Sequence, residues 1–378
     1  MSWAISFSQN IGTSPYLAKT APIQIPTQDT IQVIDSLISN MNIKEKVGQM
    51  IIVYHAPKSF LKKHAIGGSI IMQNMLKKHL TLSQEIKAIQ EEFPIGIFTS
   101  IDQEGGNVNR LKKLNGYKKV PSPFKFSQLD STNQQRLIDS VSKGMYYIGL
   151  NLNLAPVIDP SHDSQGNITL MGQKERAFGR THEEIVVNAK SFCEGFKRNG
   201  ISSTTKHFPG YDVKSNSDHD IAVSLADSAD IYRRAQVFQN LAKCSPFIMM
   251  SSIQYPKFDG LPSVFSNKMV NLAKKLAPEA LIMTDDLWGA ALRHYINPKA
   301  SLKARQYPDK DFKRLAQMAF LSGNDLFMIT YPQKALVIQS SLEYLITRFP
   351  NLEYQLDQSI HKILLQKARM GLIQALRI

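Results

Sequence analysis

Cysteine is scarce in this chain: Cys193 and Cys244 are the two in 378 residues, with no CxxC pair and no Cys/His cluster at ligand spacing. A zinc module and a disulfide-dense secreted scaffold are therefore excluded. Both cysteines sit in apolar stretches, SFCEGF and LAKCSPFIMM, which suggests buried structural thiols rather than a disulfide. No apolar run approaches the roughly 18 to 20 residues of a bilayer span, and MSWAISFSQN lacks a basic region followed by an apolar one. The expectation is a soluble, cytoplasmic protein. Neither GxxxxGK[ST] nor GxGxxG occurs, so no nucleotide cofactor is expected, and without a Cys/His cluster no metal is expected either. Acidic residues are also few, 31 against 45 lysines and arginines, for a formal charge of +14. The lysines are scattered in pairs such as Lys62-Lys63, Lys77-Lys78 and Lys112-Lys113, without interleaved aromatics. That is the pattern of a cationic surface, not of a nucleic-acid face.

What is present is enough apolar sequence, 43%, for a large core. Residues 1–30 are polar and turn-rich, with Pro15, Pro22 and Pro26, and read as a tail or strap; 31–378 read as the folded domain. There, short apolar runs alternate with stretches of helical period. The runs are 49–55, 67–72, 94–102, 150–159, 200–207, 246–253, 279–286 and 324–331, and each suits a parallel strand buried on both faces. Eight strand–helix repeats predict a single-domain α/β fold, the (β/α)8 TIM barrel.

Charged residues gather where such strands end. Asp102, Asp159, Lys206-His207 and Asp285-Asp286 all follow carboxyl ends, the face on which a barrel of this kind builds its active site. In ALIMTDDLWGAAL, Asp286 suits the cap of a following helix. Successive strand residues face opposite ways, so Asp285 would aim into the barrel mouth as a nucleophile or electrostatic stabiliser. Lys206 and His207, before the turn Phe208-Pro209-Gly210, suit hydrogen bonds to sugar hydroxyls or a salt bridge to the barrel's own carboxylates. His219 lies in a polar loop between Asp218 and Asp220, and an imidazole beside a carboxylate can act as general acid and then base.

IDQEGGNVNRL, GLNLNLAPVIDP, ERAFGR, KHFPG and MTDDLWGAAL stand in an order and spacing that resembles glycoside hydrolase family 3. The likeness is to its single-domain NagZ-type β-N-acetylhexosaminidases and runs from about Leu37 to near the end of the chain. It implies a TIM barrel and a retaining exo-β-N-acetylglucosaminidase of cell-wall recycling, acting on GlcNAc-containing muropeptides. It also implies Asp285 as nucleophile, His219 as acid/base, and Asp102, Arg176, Lys206 and His207 as sugar ligands.

Two departures stand out. Tyr211-Asp212 follow Gly210 where the family usually reads HG, and SDH replaces the family's DSH, putting Ser217 where an aspartate orients the histidine. Asp218, Asp220 or Asp212 would have to rebuild that pair. The alternatives are a glycan-binding protein weakened in catalysis, or another family 3 exoglycosidase such as a β-glucosidase, which usually takes its acid from a second domain.

Overall fold

The computed structural model describes residues 27–376 apart from 220, 302, 304 and 305. Through residue 26 the expected tail lies outside the described residues, and a helix already begins at Gln28. That helix, Gln28–Asn40, packs on the long helix Asn351–Arg369.

The barrel strands are β1 (Ile51–Tyr54), β2 (Gly68–Ile70), β3 (Phe98–Ile101), β6 (Leu152–Asn153), β7 (Ser202–Phe208), β8 (Phe247–Met250), β9 (Leu281–Met283) and β10 (Phe327–Ile329). A small antiparallel hairpin, β4 (Gln103–Gly105) with β5 (Val108–Asn109), is inserted after β3. The eight barrel strands pair in parallel in the order β10-β1-β2-β3-β6-β7-β8-β9. A parallel bridge from Met283 to Leu326 joins the two ends. The predicted TIM barrel is thus the observed fold; seven strands lie inside their predicted runs, and β7 extends one residue past its run, to Phe208. Among the described residues no helix is long and apolar enough to cross a membrane.

Local chemistry explains the helices that brace it. In His182–Arg198, Thr181 caps the first turn by accepting from Glu184 N, with Glu183 and Glu184 at the positive end and Lys197 and Arg198 at the negative end. Ile185, Ala189, Phe192 and Phe196 recur every three to four residues and form its buried face. Inside the barrel Phe98 meets Phe247 edge to face at 5.3 Å. Beneath them the fully buried Lys367 holds its ammonium 5.0 Å from the Phe98 ring and donates to Gln49 Oε1 at 2.7 Å.

One expectation is overturned. Cys193 and Cys244 are a disulfide, not separate thiols. They are as buried as their apolar neighbours suggested. Their 51-residue separation carries no pairing signal; only packing of Cys193's helix beside the turn that enters β8 brings their Cα atoms to 5.6 Å.

Candidate active site

The carboxyl ends of β3, β7 and β9 bring the strand-end charges together. Lys206 Nζ lies 2.7 Å from Asp102 Oδ1 and 2.8 Å from Glu104 Oε1. Glu104 also receives both prongs of Arg176, at 2.8 and 2.9 Å. Arg110 adds a looser contact to Asp102 at 3.9 Å. Burial alone would raise the Glu104 carboxyl, but Lys206 and Arg176 outweigh it and hold it well below the usual range. Burial likewise opposes the charge on Lys206, and Asp102 and Glu104 reverse that. Of the two alternatives for Lys206, the salt bridge to the barrel's own carboxylates is the one observed.

Glu104 reaches this position through the hairpin. Gly105 has φ +99°, and a Cβ there would fall 2.1 Å from Pro121 O, so the Gly-Gly pair is required by the close approach behind Glu104.

His207 is held from below by Asp159, which is completely buried. Asp159 Oδ2 accepts from His207 Nδ1 at 2.7 Å, and Oδ1 accepts from the backbone N–H groups of His207 and Tyr211 at 2.9 and 2.7 Å. An ionised carboxylate only accepts, so Nδ1 carries the proton and the tautomer is set.

Asp285 follows β9 and is half-buried, its Oδ1 accepting from Asp286 N at 2.8 Å. Burial pushes its carboxyl up; His207 pulls it down, Asp218 raises it again and Lys206 lowers it. Those four groups therefore share one electrostatic neighbourhood. Asp286 departs from its expected role: the next helix, Ala290–Ile296, starts at Gly289 without a side-chain cap. Asp286 instead accepts from Trp288 N at 2.9 Å, Thr330 N at 3.0 Å and the Thr330 hydroxyl, tying β9's exit to that of β10. Its carboxyl is raised to about 6, chiefly by burial. Trp288 packs between side chains, with Arg293 4.3 Å and Lys334 5.0 Å from its ring centre.

The loop after β7 carries the remaining residues. Asp218 and His219 are exposed at its tip, where His219 N donates to Asn216 O at 3.1 Å and Asp218 N to Asn216 Oδ1 at 3.0 Å. Asp220 lies outside the described residues. Asp212 is held in a buried ion pair with Arg234 at 2.7 Å. Asp102, Arg176, Lys206 and His207 are thus brought together with Asp285 nearby, while His219 is not joined to them by a direct contact among the described residues. Sequence reading missed the organising roles of Glu104 and Asp159. Both were visible as acids at strand ends, but which cations they bridge depends on neighbouring strands.

The family model for the glycosyl hydrolase family 3 N-terminal domain matches residues 42–365. The chain belongs to glycosyl hydrolase family 3. It is a glycoside hydrolase, as its motifs implied. A beta-hexosaminidase of Pseudomonas aeruginosa is 27% identical over 252 residues, 65% of this chain and 73% of that protein. The beta-hexosaminidase LpqI of Mycobacterium tuberculosis is 25% identical over 300 residues, 75% of this chain and 74% of its own length. Among solved structures, a beta-N-acetylhexosaminidase from Beutenbergia cavernae superposes with a TM-score of 0.72 at 22% identity, over 87% of this chain and 99% of that one. That likeness is one of fold, and it agrees with the closed barrel of this family 3 chain.

Proposed function

We propose that this chain is a retaining exo-β-N-acetylglucosaminidase. The observation that carries the reading is the half-buried Asp285 carboxylate set in the field of His207 and Lys206, beside the Asp102, Glu104 and Arg176 array. Asp102, Arg176, Lys206 and His207 hydrogen-bond the hydroxyls of the terminal sugar. An Asp285 oxygen attacks the anomeric carbon as the glycosidic C–O bond breaks, and His219 gives the leaving oxygen its proton. His219 then takes a proton from water, whose oxygen bonds to the anomeric carbon as Asp285 departs, so the β configuration is retained. Asp218 is the nearest candidate to support His219, because it is adjacent in the chain and acts electrostatically on Asp285; Asp220 is kept as a second.

The beta-hexosaminidase relatives support GlcNAc as the sugar removed. Muropeptides from peptidoglycan are the proposed substrates, and a cytoplasmic recycling step the proposed setting. The Cys193–Cys244 disulfide makes that setting testable, because cytosolic glutathione and thioredoxin oppose disulfides. Alkylation of freshly lysed cells checks the setting: two labelled thiols per chain agree with it, none places the protein in an oxidising compartment.

The activity is tested with 4-nitrophenyl β-N-acetylglucosaminide beside the β-glucoside, using wild type, Asp285→Ala and His219→Ala. Turnover of the N-acetyl substrate, with a loss of several orders of magnitude in Asp285→Ala, is expected, and NMR should detect the β anomer first. Binding of GlcNAc ligands without turnover would make the chain a glycan binder instead.

A further inference from the structure

The three residues at which the chain departs from the family motif meet in space. Tyr211 stands where the family has histidine, Asp212 where it has glycine, and Ser217 where it has the orienting aspartate. Tyr211 is buried, and its ring packs edge-on to that of His207 at 5.9 Å. Its backbone N–H donates to Asp159, the same oxygen that holds His207 N. Its hydroxyl donates to Ser215 O and accepts from Ser217 N at 2.8 Å. Asp212 joins the two ends of the loop: it pairs with Arg234 and accepts from Ser224 Oγ at 2.9 Å, and Ser224 Oγ accepts from Ala226 N at 3.1 Å. Tyr255 Oη, itself buried, donates to Gly210 O at 3.0 Å beneath them.

We propose that Tyr211 is the positioning residue of the proton donor, its hydroxyl fixing the backbone at Ser215 and Ser217 so that His219 starts from a set point above the Asp159–His207 floor. The inference rests on the reading of His219 as acid/base. It accounts for the missing aspartate: a side chain that orients the imidazole directly is replaced by one that anchors the peptide two residues before it. One hydroxyl serves both backbone groups, since its single proton goes to Ser215 O and a lone pair remains for Ser217 N–H. Asp218, in the anchored segment, acts electrostatically on both Tyr211 and Asp285.

Tyr211→Phe removes the hydroxyl and leaves both backbone groups without that partner. The test compares 2,4-dinitrophenyl β-N-acetylglucosaminide, whose leaving group needs no proton, with N,N′-diacetylchitobiose, whose leaving group does. The ratio of kcat/KM for the activated over the unactivated substrate is expected to rise about tenfold in Tyr211→Phe, the scale of one or two lost hydrogen bonds. Because both substrates meet the same folded fraction, the ratio is insensitive to partial unfolding. In a His219→Ala background the Phe change should move the ratio no further. An unchanged ratio in Tyr211→Phe, or one that rises equally in the His219→Ala background, overturns the proposal. If His219→Ala itself leaves the ratio unchanged, the acid/base reading fails first and the role of Tyr211 falls with it.

Discussion

Lys367 offers a direct test of how the barrel floor is held. Its ammonium is fully buried, with Gln49 Oε1 and the Phe98 face beside it, and burial lowers its pKa from 10.5 to about 7. The unfolded chain therefore binds the lysine proton more tightly than the folded one, and stability rises with pH between about 7 and 10.5. Taking those two values, the burden on the fold is about 4.6 kcal/mol at pH 6.5 and about 1.4 kcal/mol at pH 9.5, a difference of about 3 kcal/mol. Lys367→Met removes that burden but orphans Gln49 Oε1, which costs about 1–3 kcal/mol. The variant should be more stable than wild type by about 2–3 kcal/mol at pH 6.5 and about equal to it at pH 9.5. Urea unfolding of both proteins at pH 6.5, 8 and 9.5 measures this. A stability difference that does not change with pH would refute the reasoning, because it would mean that Lys367 does not release its proton in the fold.

Two further outcomes follow from the site and its frame. Asp159→Asn keeps an oxygen for the backbone N–H groups but sets an amide against His207 Nδ1; loss of that charged hydrogen bond, worth about 1.5–3 kcal/mol, should lower kcat/KM by about 10- to 100-fold. An unchanged kcat/KM would remove His207's orientation from the argument. Reducing Cys193–Cys244, or replacing both by serine, should lower stability by on the order of 4 kcal/mol for a 51-residue loop, read as an earlier urea midpoint; no shift would mean that the disulfide adds nothing to the packing around it.

The chain's own pattern determined the barrel. Strands buried on both faces need short, continuous apolar runs with helices between them, and that pattern is local enough to read directly, down to the placement of Asp102, Lys206, His207 and Asp285 at strand ends. The motifs carried the family for the same reason: each lies within a single strand and its exit loop. What tertiary structure alone decided are the pairings between strands distant in sequence. Glu104 bridges Arg176 and Lys206, Asp159 sets the His207 tautomer, and Cys193 finds Cys244, all through neighbours that no spacing announces. Asp286 reads as a helix cap in sequence, yet it ties two strand exits because Thr330 arrives beside it only when β10 closes the barrel against β9. Tyr211 and Ser217 look like losses from a motif; their contact across six residues is created by the curl of the loop, which depends on the buried Asp212–Arg234 pair at its base.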